Sequence, residues 1–296
     1  MLVSIVIRTL NEERYLGELL SVVAAQTSDI FTFEVVLVDS GSTDDTLNIA
    51  ESNGCRITHI NKKDFSFGRS LNQGCDFANG KILVFISGHC VPTDAHWLEN
   101  LCKPIHDKKV AYSYGRQIGR DTTKFSERQV FAKYFPQYSM VPQNGYFCNN
   151  ANAAVLREPW ERFRFDEELT GLEDMHFAKR LVEDGQQVGY VSDAAVYHIH
   201  DELWSQVMNR YEREAIALQK VSPEIQVTFL DFLRFYISSV LLDSGVSLGE
   251  KAFLKQAFGI LIFRFCQFWG GYRGNRVHRK LSAKNKRQYF YPTEKL

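Results

Sequence analysis

Short apolar runs alternate with amphipathic stretches along the first third of the chain. The apolar runs predict strands at residues 2–7, 33–39, 56–60 and 81–86. Between them, apolar side chains at helical spacing predict helices at residues 12–26, 43–53 and 68–79. Because strands that alternate with helices build βαβ units, the pattern predicts an α/β fold whose mostly parallel sheet is flanked by helices.

The second apolar run ends abruptly at a carboxylate. Residues 35–38 are all apolar and Asp39 follows them, so we expect a strand buried on both faces with Asp39 at its carboxyl end. Open α/β sheets bind ligands beyond the carboxyl ends of their strands, where the polar run at residues 40–45 would lie. An ionised Asp39 would accept hydrogen bonds from the N–H of a base or from the hydroxyls of a ribose. The alternative is a strand that ends in an Asx-type turn.

The rest of the chain carries a less regular pattern. Residues 116–150 are rich in polar and aromatic residues, match no period and are expected to form a mobile loop over the site. Further strands are predicted at residues 148–156 and 188–198, and helices at residues 172–184, 203–221, 226–242 and 249–269. The pattern divides the chain into an α/β domain over residues 1–220 and a helical, basic C-terminal extension over residues 221–296.

Composition narrows the class of protein. An apolar fraction of 45% and a charged fraction of 24% are typical of a soluble globular protein. The six cysteines form no C-x-x-C pair, which favours a reduced cytosolic compartment over a disulfide framework or a zinc site. The N-terminus has the pattern of a strand and not of a secretory signal, and no apolar run reaches the roughly 20 residues that span a bilayer.

Charge is unevenly distributed along the chain. The net charge is zero, yet residues 251–293 contain ten Lys or Arg and no Asp or Glu. An apolar stripe at helical spacing consists of Phe253, Leu254, Ala257, Phe258, Leu261, Ile262, Phe265, Phe268 and Trp269. The basic cluster after it consists of Arg273, Arg276, Arg279, Lys280, Lys284, Lys286 and Arg287. Such a combination predicts peripheral contact with an anionic membrane. The alternative is packing on the α/β domain or on a second subunit in a homodimer. No nucleic-acid-binding module is recognisable.

Five motifs occur in an order that resembles a known family. They are Val-Ser-Ile-Val-Ile-Arg at residues 3–8, Val-Asp-Ser-Gly-Ser-Thr-Asp at 38–44, Gly-Arg-Ser-Leu-Asn-Gln-Gly at 68–74, Glu173-Asp174, and His-x-His at 198–200. Together they resemble the family 2 glycosyltransferases, which are inverting enzymes with the GT-A nucleotide-sugar fold, over residues 1–220. Val91-Pro92, Trp97-Leu98 and Tyr114-Gly115-Arg116-Gln117 are most similar to bacterial polysaccharide enzymes labelled rhamnosyltransferases.

The resemblance implies a nucleotide-sugar donor and a set of donor-binding residues. The set is Thr9, Glu12, Asp39, Asp44, Arg69, Asn72, Ser87 and His89. Thr9, Glu12 and Asp39 would hold the nucleoside. Arg69, which precedes a helical segment, would contact a phosphate or the base, and its alternative is a solvated surface side chain.

The resemblance also implies a catalytic base. Asp174, at the start of a predicted helix, would remove the proton from the acceptor hydroxyl in a single displacement with inversion. Its neighbour Glu173 would raise the pKa of the pair toward working pH, because like charges disfavour ionisation. Glu173, Asn150 and Asn152 would bind hydroxyls of the acceptor or the donor sugar. The alternative is that the two acids only complement the helix dipole.

The chain departs from the family at the family's metal-binding motif. After the strand at residues 81–86 the family has Asp-x-Asp, whereas this chain has Ser87-Gly88-His89. Three explanations stay open. His89, with His198 or His200, binds a divalent cation, and imidazole suits Mn²⁺ or Zn²⁺ better than Mg²⁺. Alternatively, cationic side chains stabilise the leaving group without metal, the candidates being Arg69, Arg116, Arg120 and a protonated histidine. The third explanation is that donor chemistry has been lost.

The sequence therefore predicts an inverting glycosyltransferase that moves a sugar from a nucleotide-sugar donor to a hydroxyl of a bacterial surface-polysaccharide acceptor, such as a lipid-linked glycan. Its expected location is the cytoplasm, at the inner face of the cytoplasmic membrane. Two other classes stay open. One is a non-catalytic scaffold of the same fold that binds glycans in the assembly machinery. The other is a sugar nucleotidyltransferase, although the chain lacks the Gly-rich, Lys/Arg-containing N-terminal loop that such enzymes use on a triphosphate.

Overall fold

The structure, a computed structural model, describes residues 1–276 and consists of two compact units. The first unit comprises Met1–Arg120, Tyr134–Glu168 and Glu173–Ile199. The second comprises Asp121–Lys133, Leu169–Leu172 and the residues from His200 onward. The predicted division of the chain at residue 220 stays a prediction.

The first unit is built on an eight-stranded sheet. Its strands are β1 (Leu2–Thr9), β2 (Thr32–Asp39), β3 (Arg56–His59), β4 (Ile82–Ser87), β5 (Cys90–Pro92), β6 (Tyr112–Ile118), β7 (Asn152–Leu156) and β8 (Val188–His198). Their order across the sheet is β3-β2-β1-β4-β7-β6-β8-β5. The sheet therefore contains the strands that the apolar runs predict, together with β5 and β6, which they do not.

One half of the sheet is parallel. In β3, β2, β1 and β4, Asp39 lies opposite Thr9 on one side and His59 on the other, and Arg8 lies opposite Ser87. The carboxyl ends of parallel strands meet at one edge of a sheet. These polar side chains consequently lie side by side at that edge, as the sequence predicts for Asp39.

The other half of the sheet is mixed. β7 pairs antiparallel with β4 and with β6, β6 runs parallel to β8, and β8 pairs antiparallel with β5. The register of β6 shifts between Gly115 and Gln117, and such a bulge re-aims the side chains that follow it. A Cβ atom at Gly115 would collide with the carbonyl oxygen of Ala194, so the bulge requires glycine.

Helices of the first unit flank both faces of the sheet. In chain order the helices are α1 (Glu13–Ala24), α2 (Thr46–Ser52), α3 (Phe67–Phe77), α4 (Trp97–His106), α5 (Phe125–Tyr134), α6 (Arg157–Phe163), α7 (Glu173–Glu183), α8 (Trp204–Val221), α9 (Phe229–Gly249) and α10 (Phe253–Asn275). Of these, α5 up to Lys133 and all of α8, α9 and α10 belong to the second unit. Leu16 of α1 and Trp97 of α4 share a core cluster with Ile5 of β1. The neighbouring Val6 points to the opposite face, where α3 approaches so closely that a Cβ atom at Gly74 would lie 2.5 Å from the Val6 side chain.

The prediction of a loop at residues 116–150 is wrong in part, because α5 and the end of β6 lie there. The buried side chains of α5 are Phe125, Ser126, Glu127 and Phe131. Half of them are polar, so no apolar period marks the helix. In contrast, β8 begins and ends where the pattern predicts.

In the second unit, α10 packs against α8 through small residues. A Cβ atom at Gly270 would lie 2.5 Å from the carbonyl oxygen of Met208, and one at Gly274 would collide with that of Glu212. α10 also pairs with α9, since Arg264 donates two hydrogen bonds of 2.7 Å to the carboxylate of Asp243. This ion pair is buried and bidentate, which fixes the register of the α9–α10 hairpin.

Within residues 1–276, no helix combines the length and the apolarity required to cross a bilayer. Of the predicted basic cluster, Arg273 and Arg276 belong to the described part of the chain. The other members, Arg279, Lys280, Lys284, Lys286 and Arg287, lie outside the described residues.

Two adjacent glycines of α10 test the packing of this helix. We expect Gly270→Ala to destabilise the protein by about 1–3 kcal/mol, because its methyl group would press on the α8 backbone. Gly271, which has open space around the position of a Cβ atom, is the matched control. Gly271→Ala should stabilise the protein by up to about 1 kcal/mol through helix propensity. Urea unfolding curves of both variants measure the difference, and equal stabilities would contradict the packing described here.

Candidate active site

Asp39 and Thr9 lie at the centre of the parallel edge. Both side chains are buried, and the Thr9 hydroxyl donates to the Asp39 carboxylate over 3.4 Å. The same carboxylate accepts the backbone N–H of Gly41 at 2.8 Å and that of Ser42 at 3.1 Å, while Nδ1 of His59 lies 3.8 Å away. The Asx-type turn is therefore present, and it holds the Asp39 carboxylate in a fixed position at the strand end.

A set of hydrogen bonds ties the loop after β1 to the loop after β2. The side-chain oxygen of Asn11 accepts the N–H of Thr43 at 2.8 Å. Asp44 accepts the N–H groups of Glu13 and Thr46, each at 3.1 Å. Partial burial opposes ionisation of Asp44, but hydrogen bonds from Thr46 and Glu13 outweigh it and lower the pKa of this carboxylate. The Asp44 carboxylate thus holds the two loops together.

Glu12 leads from this edge to a pair of histidines. Its Oε1 lies 2.9 Å from Nδ1 of His89, and the His89 and His198 rings stack at a centroid distance of 5.3 Å with 20° between their planes. Gly88 lets Glu12 approach, because a Cβ atom there would lie 2.8 Å from Cγ of Glu12. Nδ1 of His198 lies 2.6 Å from Oε1 of Gln117.

The contacts continue from Gln117 to the predicted base. Gln117 donates to Oδ1 of Asn149 at 3.0 Å, and the same oxygen accepts the N–H of Ala151 at 3.0 Å. The backbone N–H of Asn150 then donates to Oδ2 of Asp174 at 2.9 Å. Sequence reasoning missed Gln117 and Asn149. Two sequence features could have indicated them. One is Gly115, at which the bulge in β6 occurs, and the other is the run of asparagines before β7.

Asp174 and Glu173 are buried at the start of α7. Asp174 also accepts the N–H of Met175 at 2.8 Å. Burial and the charge of Glu173 raise the pKa of Asp174 to about 7, although the N–H donors and Arg8 oppose this shift. Arg8 lies 3.5 Å from Oε1 of Glu173. Because Arg8 precedes Thr9 on β1, the paired acids lie beside the edge that carries Asp39.

The side-chain amide of Asn150 makes a hydrogen bond through its oxygen but none through its nitrogen among the described residues. The Tyr112 hydroxyl donates to its Oδ1, whereas its Nδ2 is buried and has no partner among residues 1–276. Buried polar atoms in proteins nearly always have a partner. This amide, next to Asp174 in the structure, is therefore suited to donate to an oxygen of a bound molecule.

The side-chain amides of Asn72 and Asn152 form hydrogen bonds with other residues of the protein. The Asn72 amide donates to Phe165 and Glu167 and accepts from Trp160 and Phe165. Asn152 accepts from Trp97 and donates to the carbonyl oxygens of Arg116 and Ala194. Each amide makes its hydrogen bonds within the protein, and their predicted roles in ligand binding stay predictions.

The predicted cationic residues differ in their surroundings. Arg69 donates to Glu167 at 2.8 Å and to the carbonyl oxygen of Asp64 at 2.8 Å, and Arg120 forms an ion pair with Glu18. In the part of the chain that the structure describes, Nε of Arg116 is buried without a hydrogen-bond partner. Of the three arginines, Arg69 and Arg120 thus form ion pairs with acids, whereas Arg116 keeps a buried N–H group that could donate to a ligand.

The residues around His89 and His198 fit a divalent cation. The two imidazoles bring ligand atoms within 4.8 Å of each other. A ring nitrogen of each is oriented by Glu12 or Gln117, as the ligands of metal sites commonly are. Ser87 lies at the end of β4 beside them and supplies no carboxylate. A donor set of this kind suits Mn²⁺ or Zn²⁺ better than Mg²⁺.

His200 belongs to the second unit. Its Nδ1 lies 2.8 Å from Oε1 of the buried Glu127. Arg210 donates to Glu127 at 2.7 Å and holds Glu202 through both carboxylate oxygens. The arginine supplies positive charge between the two carboxylates. Oε2 of Glu127 is buried and has no hydrogen-bond partner within residues 1–276, and ligand atoms of Glu127, His200 and Glu202 lie within 4.8 Å of one another.

Comparison with known proteins agrees with the motifs. The family described as "Glycosyl transferase family 2" matches residues 4–163. The O-antigen chain rhamnosyltransferase WbaN of Salmonella anatum is 28% identical over 189 residues, which cover 60% of this chain and 60% of that protein. RfbN of Salmonella typhimurium, also named an O-antigen chain rhamnosyltransferase, is 24% identical over 242 residues, covering 77% of this chain and 76% of that protein.

Solved structures share the fold. The mannosyltransferase PcManGT from Pyrobaculum calidifontis, in complex with GDP-Man and Mn²⁺, superposes with a TM-score of 0.59 at 16% identity, covering 99% of this chain and 88% of that one. Staphylococcus aureus TarS 1-349 in complex with UDP gives a TM-score of 0.55 at 19% identity, covering 94% and 93%. The expected GT-A fold is confirmed. The family match extends over more than half of the residues of this chain, so the chain belongs to glycosyl transferase family 2.

Proposed function

We propose that this protein is an inverting glycosyltransferase with Asp174 as its catalytic base. The observation that carries the proposal is the buried Asp174 carboxylate, which lies beside the parallel edge of the sheet and whose pKa is raised to about 7. A general base works best when its pKa lies near the working pH. A structural acid at a helix N-terminus would gain nothing from such a shift, since the helix dipole favours the ionised form.

The donor would bind at the parallel edge. Thr9, Glu12 and Asp39 would contact the nucleoside, and their positions are fixed by the turn at Gly41 and by the bonds that Asp44 makes. Names of the similar proteins support this donor class, because TarS was solved with UDP and with UDP-GlcNAc.

The chemical step follows from the placement of Asp174. The acceptor oxygen attacks the anomeric carbon from the face opposite the leaving group, and its proton passes to the Asp174 carboxylate. The bond from the anomeric carbon to the donor phosphate breaks, and its electron pair stays on the phosphate oxygen. One displacement inverts the anomeric centre. Nδ2 of Asn150 would donate to an acceptor hydroxyl and orient it toward Asp174.

The leaving phosphate needs positive charge. His89 and His198 would hold a divalent cation, which neutralises a leaving diphosphate when bound. Without a cation, Arg116 is the best placed of the three predicted arginines, because Arg69 and Arg120 are paired with acids.

The acceptor proposed is a hydroxyl of a bacterial surface polysaccharide, carried on a lipid at the inner face of the cytoplasmic membrane. Similar proteins are named for O-antigen chains and for poly(ribitol-phosphate). The second candidate is a glycan-binding scaffold without transfer activity, which the loss of Asp-x-Asp at residues 87–89 favours.

Asp174→Asn should lower kcat by at least about 100-fold, the usual contribution of a general base, and leave nucleotide affinity unchanged. Transfer is measured with a lipid-linked glycan and a panel of nucleotide sugars, and affinity by calorimetry. Asp184→Asn is the control, because Asp184 is exposed just after the same helix and pairs with Arg162. Turnover within threefold of the native rate in Asp174→Asn would refute the base assignment.

Two substitutions should move the pH profile in opposite directions. Asp174 accepts a proton only when ionised, so kcat/KM should rise with pH through the pKa of this group. Glu173→Gln removes a repulsive charge and should shift the acid limb to lower pH. Arg8→Gln removes an attractive charge and should shift it to higher pH. The same shift in both variants would show that Asp174 does not control the limb.

The metal dependence of nucleotide binding tests whether His89 helps to hold a divalent cation. We expect one of UDP, GDP, dTDP or CMP to raise the melting temperature in the presence of Mn²⁺, since a ligand at 100 times its Kd stabilises by about 2.7 kcal/mol. His89→Ala should abolish the Mn²⁺-dependent part. His106→Ala is the control, because that histidine is exposed on α4 and lies outside the site. A shift that is indifferent to metal would favour Arg116, and no shift with any nucleotide would favour the scaffold.

A further inference from the structure

The α9–α10 hairpin exposes an unusual concentration of large apolar side chains. Of the nineteen large hydrophobic residues that are exposed in the described part of the chain, twelve lie between Phe229 and Phe265. On α9 the most exposed are Leu230, Ile237, Leu241, Leu242 and Leu248, and on α10 they are Leu254, Phe258, Leu261 and Phe265. A concentration of exposed apolar side chains indicates an interaction surface, whereas single exposed residues do not.

The exposed residues of α10 form one stripe. Their spacing along the helix is four, three and four residues, which places all of them on one side of α10. They are Leu254, Phe258, Leu261 and Phe265. The opposite side carries Phe263, Gly270 and Gly274, which are buried against α8 or in the core of the second unit. Phe265, at the end of the stripe, also contacts Phe232 and Tyr236 of α9, each at a ring-centroid distance of 6.2 Å. Leu254 and Phe258 are the most exposed members of the stripe.

The hairpin holds this surface rigidly. The bidentate pair of Asp243 and Arg264 joins the two helices, and Phe232 of α9 contacts Trp269 of α10 at a ring-centroid distance of 5.3 Å. Phe232, Asp243 and Arg264 are buried in these contacts, and Trp269 is partly buried. The outer sides of α9 and α10 consequently present a preformed apolar surface, which we call the hairpin surface.

The charge near the hairpin surface indicates which kind of partner binds there. Residues 251–293 carry ten Lys or Arg and no acid, and five of the ten, from Lys251 to Arg276, lie in the described part of the chain. Of these five, Arg264 is paired with Asp243 and Arg273 with Glu212, which leaves the exposed Lys251, Lys255 and Arg276 to face an anionic partner. A second copy of the chain, docked through the same surface, would bring two such basic segments together and would be opposed by their repulsion. An anionic bilayer offers the opposite charge, and its acyl region accepts leucine and phenylalanine side chains.

We propose that the hairpin surface docks on an anionic lipid bilayer. Leu241, Leu254 and Phe258 enter the boundary between headgroups and acyl chains, and the exposed Lys251 and Lys255 face the headgroups. The inference extends the proposed function by naming the surface that brings the protein to a lipid-linked acceptor. Lipid binding needs neither donor nor acceptor, so it can fail or succeed independently of transfer.

The test is co-sedimentation of the full-length protein with vesicles. Vesicles with one third phosphatidylglycerol in phosphatidylcholine should bind the protein, and vesicles of phosphatidylcholine alone should bind it at least tenfold more weakly. Raising the salt concentration should weaken the anionic binding. The double variant Leu241→Glu/Leu254→Glu should lose at least tenfold in partition coefficient. Both side chains are more than 60% exposed, so their replacement leaves the core intact.

Leu203→Glu is the matched control, because Leu203 is 70% exposed and precedes α8, away from the hairpin sequence. It should bind vesicles within twofold of the native protein, and thermal melting checks that all variants are folded. Vesicle binding that survives in the folded double variant would overturn the proposal. So would light scattering that shows a dimer of the native chain, dissociated by the double variant, together with no vesicle binding.

Discussion

The structure depends on one buried carboxylate and the two backbone N–H groups that hold it. Asp174 accepts from Asn150, just before β7, and from Met175, in the first turn of α7. Two charge-assisted hydrogen bonds fix the position of the side chain, and they favour its ionised form. Burial and the neighbouring Glu173 oppose ionisation more strongly, so the net effect is a raised pKa. The position and the basicity of the carboxylate are thus set by different parts of its surroundings.

This carboxylate is one end of a series of contacts that links the two halves of the sheet. From Asp174 the contacts pass through Asn150 and Asn149 to Gln117, and from there through His198 and His89 to Glu12. Glu12 follows a strand of the parallel half, Gln117 lies in the mixed half, and the two stacked imidazoles join them. A change in one half, such as loss of the Gly115 bulge, would therefore displace residues that contact the other.

The sequence predicted the parallel half of the sheet well, because buried parallel strands are short apolar runs with clear ends. The carboxyl-end position of Asp39 followed from that pattern alone. The mixed half of the sheet was harder to predict, because β5 has only three residues and the bulge in β6 interrupts the alternation of apolar and polar residues along that strand. Helix α5 was missed because its buried positions include Ser126 and Glu127. Asn72 and Asn152 show a different limit: a buried amide that completes the fold has the same sequence signature as one that binds a ligand.

The replacement of Asp-x-Asp by Ser87-Gly88-His89 is consistent with the geometry around it. A carboxylate at position 89 would lie close to Glu12, and two anions 3 Å apart repel each other unless a cation separates them. A histidine there accepts or donates a hydrogen bond to Glu12 without that repulsion, and Gly88 provides the space that Glu12 needs. Glu12 then orients the ring in the way that carboxylates orient metal-binding histidines. A carboxylate therefore lies beside His89 although Asp-x-Asp is absent, and it comes from the loop after β1 and not from the end of β4.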